Sequence, residues 1–287
     1  MQSNIPNFSK IFKVSFFDFN KVQFQAVGIL AAIVINVGSS VLVSRLGETS
    51  TAGQIANAVG GLLTAIVVLL TAAGVSLMIK ADLLQESPVS SKEARAFIKR
   101  KFWPIIISPF LLLLTVLLLL GVQALLSFVG FIPFVGPIIL AVCTIPAVIL
   151  NVILAIALIV GSKLMPSIIA VEESNTIDTM KLTYQTCRVE PLRVAFYAGV
   201  LTLVGIGIFI LPALAFLFGL LLTGAFHWSV LLKCYNSMLG YWSLDLMAFW
   251  FITGLSVLVM ASLVIALPLT YFQGVYTYIY LSFKNKF

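Results

Sequence analysis

The longest uncharged stretch of this sequence is FWPIIISPFLLLLTVLLLLGVQALLSFVGFIPFVGPIILAVCTIPAVILNVILAIALIVGS, residues 102–162. About 20 apolar residues are enough for a helix to cross the hydrocarbon core of a bilayer, so this stretch is long enough for two crossings. Its middle, GFIPFVGP at residues 130–137, contains glycines and prolines, which break a helix and reverse the chain. The stretch therefore predicts a hairpin of two transmembrane helices.

Four further uncharged stretches are each long enough for one crossing. They are residues 22–44, 49–79, 194–232 and 246–283. Only 9% of the residues are charged, whereas about a quarter are charged in a typical soluble domain. A charge at the centre of a membrane helix costs about 2.5–3.5 kcal/mol. The sequence therefore predicts an all-α polytopic bundle of six transmembrane helices.

The lysines and arginines predict the orientation of these helices. They are retained preferentially on the cytoplasmic side of a membrane, and a cytoplasmic N-terminus leaves only Arg45 and Lys233 outside among the 17 Lys and Arg residues. We therefore expect both termini in the cytoplasm and the protein in the cytoplasmic (inner) membrane of a bacterium. This bias explains the net charge of +7, so no nucleic-acid partner is expected.

Three segments have the pattern of amphipathic helices at the cytoplasmic membrane surface, namely residues 8–19, 90–102 and 176–189. The second begins with Ser90 and Glu93, the spacing of a capping box. In the third, one helical face carries the side chains of Ile177, Met180, Tyr184 and Cys187.

Each surface segment is followed by two crossings, which suggests three repeats of a surface helix plus a hairpin. The repeat units would be residues 5–80, 90–162 and 175–283, within a single integral membrane domain of residues 1–287.

Small residues recur every four positions on three of the predicted spans. They are Gly28, Ala32, Asn36, Ser40 and Ser44 on the first, Asn57, Gly61 and Ala65 on the second, and Ala215, Gly219 and Thr223 on the fifth. Such rows let helix backbones approach closely, which is the main source of helix association in lipid. They predict packing of the first span against the second; a solute path lined by small polar groups is the alternative.

The most polar groups inside the predicted spans are the amides of Asn36, Gln123 and Asn151. Lipid offers no hydrogen-bond partner, so each amide must find one within the protein. Hydrogen bonds between helices are one interpretation of these residues. A narrow polar route across the membrane is the other.

The basic run Lys99, Arg100 and Lys101 lies where the third span enters the bilayer, directly before Phe102 and Trp103. Cations at this depth attract anionic headgroups by about 1 kcal/mol each. Contact with anionic lipid is one interpretation of this run, and simple anchoring of the topology is the other.

No grouping of residues in the sequence resembles a catalytic or metal site. Cys143, Cys187 and Cys234 fall in three different segments, and the single histidine, His227, has no adjacent carboxylate or cysteine. The acidic residue nearest to a span is Asp245, at the outer entrance of the sixth. We therefore expect no enzyme activity, no metal and no cofactor.

The stretch MPSIIAVEE at residues 165–173, followed by an amphipathic segment and the basic residues Arg188 and Arg193, resembles a bacterial multi-pass family. That family includes the membrane domain of some glycerophosphodiester phosphodiesterases and uncharacterised six-helix membrane proteins. The resemblance implies a compact helical bundle with cytoplasmic interfacial helices. It implies no catalytic residues, since the similarity lies in the membrane domain alone.

These observations lead to two functional hypotheses. The first is a non-enzymatic membrane component, an accessory, scaffold or assembly subunit whose cytoplasmic helices contact the lipid bilayer or other membrane protein subunits. The alternative is a transporter, channel or lipid-handling protein for an apolar or uncharged solute, for which charge-free helices are no handicap. A cavity lined by the three amides would favour the alternative.

Overall fold

The computed structural model describes residues 13–15, 18–128, 135–189, 191–226 and 244–284, and every regular element within them is a helix. The principal helices of this part of the chain are α1 (Phe19–Leu46), α2 (Thr51–Leu84), α3 (Ser91–Arg100), α4 (Phe102–Ser127), α5 (Val135–Glu172), α6 (Thr176–Val189), α7 (Pro191–Phe226) and α8 (Leu244–Lys284).

Six helices of the described residues are long and apolar enough to cross a membrane, namely α1, α2, α4, α5, α7 and α8. The predicted all-α bundle of six transmembrane helices is confirmed, and the protein is an integral membrane protein. The other two helices are too short to cross, since α3 has 10 residues and α6 has 14. They form the second and third of the predicted amphipathic segments.

The ends of the short helices follow from local sequence. Ser90 and Glu93 form the predicted capping box of α3, in which the Glu93 amide donates to the Ser90 hydroxyl and the Ser90 amide donates to the Glu93 carboxylate at 2.7 Å. Helix α6 ends at Val189, and α7 begins at Pro191. Proline is favoured at the first position of a helix because its missing amide would have no partner there.

The first predicted surface segment falls mostly outside the described residues, which begin at 13–15 and resume at Asp18. Residues 130–134 of the predicted turn also lie outside the described residues, whereas residues 135–137 are the first residues of α5. Helices α4 and α5 pack against each other. A Cβ atom at Gly161 of α5 would lie 3.0 Å from the Leu112 side chain of α4.

The chain divides into two compact units. The first contains Ala72–Val200 and Gln273–Phe287, and the second contains Phe8–Thr71 and Leu201–Phe272. The three-repeat arrangement and the single-domain assignment stay predictions.

In the second unit, α1 packs against α2 as an antiparallel hairpin. A Cβ atom at Gly28 would collide with the side chain of Thr71. Further along α1, Asn36 donates from Nδ2 to Thr64 Oγ1 at 2.6 Å. Position numbers rise along α1 as they fall along α2, as a hairpin requires. The packing between these two spans that the small residues predict is therefore present.

The row of α2 that faces α1 differs from the predicted row. It contains Gly60 and Thr64, and a Cβ atom at Gly60 would collide with Ser39. The predicted row on α2 is exposed at Asn57, Gly61 and Ala65. Thr64 explains the difference, because its hydroxyl accepts the Asn36 amide and an amide in lipid needs a partner from the protein.

The small residues elsewhere in the predicted rows are exposed. On α1 these are Ser40 and Ser44, and on α7 they are Ala215 and Gly219, whereas the side chain of Thr223 lies outside the described residues. Closer to its start, α1 buries Val22, Ala26 and Ile29 in a cluster with Ala266 of α8. The buried part of α1 is therefore the part nearest to its N-terminus.

Candidate functional site

The residue after α5, Glu173, joins two other segments in the first unit. The guanidinium of Arg100, the last residue of α3, lies 2.6 Å from the Glu173 carboxylate, and Lys101 donates to the Glu173 backbone carbonyl. Glu173 has φ of 50°, in the left-handed region. The Arg100 and Glu173 side chains are 61% and 48% exposed, so this pair adds only roughly 0–1 kcal/mol to stability. Its effect is mainly to orient α3.

The last residue of α5, Glu172, holds the end of α8. Lys284 Nζ lies 2.7 Å from Glu172 Oε1, and the Tyr280 hydroxyl donates to the same oxygen at 3.0 Å. The two glutamates therefore bring together the start of α4 and the ends of α5 and α8. The predicted alternation of six spans requires these three helix ends to lie on the same side.

A buried hydroxyl cluster lies one to two turns before this junction and contains Ser76, Ser167, Gln273 and Thr277. The Ser76 and Ser167 oxygens are 3.3 Å apart, and Thr277 Oγ1 lies 3.1 Å from Ser167 Oγ. Ser76 also donates to Gln273 Oε1 at 3.2 Å. The cluster links α2, α5 and α8 in a place where Ser76, Ser167 and Thr277 are fully buried. A satisfied polar network in a dry interior fixes one arrangement of the helices that it joins.

A charged side chain adds a further contact between α5 and α8. Lys163 Nζ lies 5.8 Å from the centroid of the Tyr276 ring, which is itself buried. A cation within about 6 Å of an aromatic centroid is attracted by the negative face of the ring. This contact stabilises the charge of Lys163 at its position within α5.

Helix α6 packs against α4 and α5 through a threonine face made of Thr179, Thr183 and Thr186. Each hydroxyl donates to a backbone carbonyl one turn earlier, at 2.7 Å in all three cases. With the hydroxyls satisfied, the methyl groups are free to pack as apolar groups. A Cβ atom at Gly161 of α5 would lie 3.3 Å from the Thr183 methyl, so the glycine provides the space for α6.

The opposite side of α6 is exposed, and four residues along its middle form what we call the outer stripe, with the exposed residues Asp178 and Gln185 at one flank. The residues of the stripe are Ile177, Lys181, Tyr184 and Arg188. Ile177 is 65% exposed and Tyr184 is 63% exposed. The Arg188 guanidinium lies 6.0 Å from the centroid of the Tyr184 ring.

The predicted apolar face of α6 is therefore divided between two environments. Ile177 and Tyr184 belong to the outer stripe, whereas Met180 and Cys187 are partly buried at its flank. Burial raises the pKa of the Cys187 thiol, which keeps it protonated and weakly reactive at neutral pH. The sequence does carry a signal for the threonine face, because Thr179, Thr183 and Thr186 follow helical spacing.

The three intramembrane amides have different surroundings. Asn36 is satisfied by Thr64, as described above, and also donates to the Ala32 carbonyl at 3.1 Å. Gln123 Nε2 is buried and has no hydrogen-bond partner among the described residues. Asn151 is exposed on α5. Asn36 thus makes a hydrogen bond between helices, and both interpretations stay predictions for Gln123 and Asn151.

The basic run at the start of α4 is only partly available to lipid. Arg100 and Lys101 contact Glu173, whereas Lys99 is exposed. Sequence reasoning did not identify this pairing, although Glu173 belongs to the stretch MPSIIAVEE. Contact of the run with anionic lipid stays a prediction.

A second pairing that the sequence did not predict involves Lys21 near the start of α1. Its side chain is 1% exposed, and its Nζ lies 3.2 Å from the Asp18 carboxylate and 3.0 Å from the Val14 carbonyl. Asp18 also accepts the Asn20 amide as the N-cap of α1. The burial of Lys21 is tolerated because the charge is paired and hydrogen-bonded.

Among the residues that the structure describes, no group of three or more His, Cys, Asp or Glu side chains is placed to hold a metal ion. His227, Lys233 and Cys234 are outside those residues. Asp245 lies in the first turn of α8, but its side chain is not described.

No family model, curated protein or solved structure matches the chain. The fold and the contacts above define an all-α polytopic membrane protein. Its described part includes the short helices α3, joined to the spans by an ion pair, and α6, packed against them. The family suggested by the stretch at residues 165–173 stays an expectation.

Proposed function

We propose that this chain is a non-enzymatic accessory, scaffold or assembly component of a membrane complex. It resides in the cytoplasmic (inner) membrane of a bacterium, with both termini in the cytoplasm. The observation that carries the proposal is the seating of α6, whose threonine face packs on α4 and α5 while its outer stripe remains exposed.

This packing favours the binding of a partner, because it holds the side chains of the outer stripe in place before the partner binds. A segment that is ordered only on binding costs conformational entropy at that moment, whereas a preorganised helix avoids most of this cost. Helix α3 is similarly restrained, by its capping box and by the Arg100–Glu173 pair. Both short helices therefore present exposed side chains from positions fixed by the transmembrane bundle.

Purification from native membranes in a mild detergent tests this proposal. We expect a defined oligomer or a stoichiometric membrane protein partner, seen by size-exclusion chromatography with light scattering and by mass spectrometry. Gly161→Leu should displace α6, because even a Cβ at this position lies 3.0–3.3 Å from Leu112 and Thr183. The assembly should then be lost while the chain stays helical.

Gly121→Leu is the matched control, since a Cβ at Gly121 on α4 would meet nothing within 4 Å. This variant should retain the assembly. A wild-type protein that is a monomer without any partner in native preparations would contradict the proposal, as would an assembly that is indifferent to Gly161→Leu.

A further inference from the structure

The outer stripe of α6 combines two cations with two apolar side chains on a single helical face. Its residues are spaced by four, three and four positions, which places all four within roughly 60° around the helix axis. An apolar residue and an aromatic ring beside long basic side chains are typical of a helix at the membrane interface.

The direction of the stripe is fixed, because the other side of α6 packs against the transmembrane helices. Thr179, Thr183 and Thr186 are at most 5% exposed, and they face the spans α4 and α5. The stripe therefore lies on the side of α6 that is directed away from α4 and α5, where it is open to the headgroups around these spans.

The connections of α6 also keep it beside the membrane. Residues 173–175 link it to the end of span α5, and only residue 190 separates it from α7, whose span follows. Three linking residues limit the gap between α5 and α6 to on the order of 15 Å. The helix is therefore held close to the bilayer at both of its ends.

The charge on the stripe is not neutralised by the described residues. No Asp or Glu among them forms an ion pair with Lys181 or Arg188, and the glutamates that precede α6 are engaged elsewhere, Glu172 with Lys284 and Glu173 with Arg100. The stripe thus carries two positive charges, and the exposed Asp178 at its flank lowers the net charge of this side of α6 to +1.

We propose that the outer stripe of α6 binds the anionic phospholipid headgroups of the membrane that the protein spans. Lys181 and Arg188 contact the lipid phosphates, and Ile177 and Tyr184 lie at the boundary between headgroups and acyl chains. The inference goes beyond the proposed function by naming a lipid ligand of α6, and it rests on that function only in treating α6 as a presented helix.

Native mass spectrometry of the purified full-length protein, titrated with phosphatidylglycerol or phosphatidylcholine, tests this inference. We expect tighter binding of phosphatidylglycerol. The double variant Lys181→Gln, Arg188→Gln should weaken that binding about thirty-fold, since each cation contributes about 1 kcal/mol and each 1.4 kcal/mol is a factor of ten. Phosphatidylcholine binding should not change.

Two further variants make the comparison specific. Lys92→Gln, Arg95→Gln removes the same charge from exposed positions of α3 and should leave phosphatidylglycerol binding unchanged. Lys181→Arg, Arg188→Lys keeps the charge and should retain binding. If the glutamine variant does not fold, binding of phosphatidylglycerol to the wild type must still weaken as salt increases, because salt screens charge attraction.

Equal weakening by the α3 variant would overturn the inference, since net charge would then explain the binding. No preference of the wild type for phosphatidylglycerol would also overturn it. If the stripe variant instead loses a protein partner without any change in lipid binding, the stripe is a protein-docking surface and the proposed function stands. Selective lipid binding by a protein without partner or oligomer would support this inference and contradict the proposed function.

Discussion

Gly28 on α1 lies so close to Thr71 on α2 that a Cβ atom at position 28 would collide with the threonine side chain. Threonine is short, and its Cβ would itself be only 2.8 Å from the new atom, so the two helices would have to separate. We expect Gly28→Ala to lower the free energy of unfolding by about 1–3 kcal/mol through overpacking. Thermal unfolding in detergent measures this change.

Gly38→Ala on the same helix is the control for Gly28→Ala. A Cβ at Gly38 would meet nothing within 4 Å, so only the helix preference for alanine remains, which stabilises by about 0.5–1 kcal/mol. If both variants melt at the same temperature, the close approach of α1 and α2 at Gly28 is incorrect.

Ser167 is the residue through which α5 enters the hydroxyl cluster. Ser167→Ala removes its contacts with Ser76 and Thr277 and should destabilise the protein by about 0.6–1.7 kcal/mol, the range for side-chain hydrogen bonds between membrane helices. A double-mutant cycle with Ser76→Ala should show coupling, because the two hydroxyls share one bond. Ser256→Ala, which removes an exposed hydroxyl bonded only within its own helix, should have no such coupling to Ser76.

At the scale of elements, the start of α3 depends on the charge of Glu93. Hydrogen bonds from the Ser90 amide and hydroxyl lower the pKa of this carboxyl below its ordinary value. The folded pKa is the lower one, so the contribution to helix stability is complete above the unfolded pKa of about 4.3 and is lost as the pH falls through the folded pKa.

Hydrogen exchange of the first-turn amides of α3 measures this dependence on pH. Protection should be constant above about pH 5 and should decrease at lower pH. Glu93→Gln should reduce the change with pH, because the group that titrates is absent. Protection in the wild type that rises on acidification would show that the ionised carboxylate is not the stabilising form.

The bounds of α6 were predictable, but the direction of its faces was not. Residues 176–189 are helical as expected, because their periodicity and Pro191 define both ends. Hydropathy places Ile177, Met180, Tyr184 and Cys187 on the apolar face of the helix, because it counts threonine as polar. A threonine whose hydroxyl is bonded to its own helix packs through its methyl group, and hydropathy does not record this.

At the scale of the whole molecule, the orientation in the membrane is the prediction to test first. In a background with Cys143, Cys187 and Cys234 replaced by serine, a cysteine at Arg45 should react with an impermeant reagent added outside intact cells. Cysteines at Lys92 and Lys181 should react only after the membrane is opened. All three positions are exposed, so a difference in labelling reports the side of the membrane on which each position lies. Labelling at Lys92 from outside would invert the orientation that the basic residues predict.

The six spans could be predicted because charge is expensive in lipid and therefore marks the limits of each crossing. The pairings that organise the helix ends could not. Glu173 binds Arg100, and Ser167 binds Thr277, across separations that no local pattern records. Which side chains meet depends on how the spans are arranged around one another, and periodicity along one helix does not contain that information.

The packing of α6 on α4 and α5 affects the order in which contacts form while the chain is synthesised. Both helices that it packs against precede α6 in the chain, so these contacts can form as soon as α6 has left the ribosome. The hydroxyl cluster is different, because Ser76 and Ser167 must wait for Gln273 and Thr277 near the C-terminus. We therefore expect that in a nascent chain stalled after α7, α6 is already packed on α4 and α5. The contacts of α8 with α2 and α5 are still absent from such a chain.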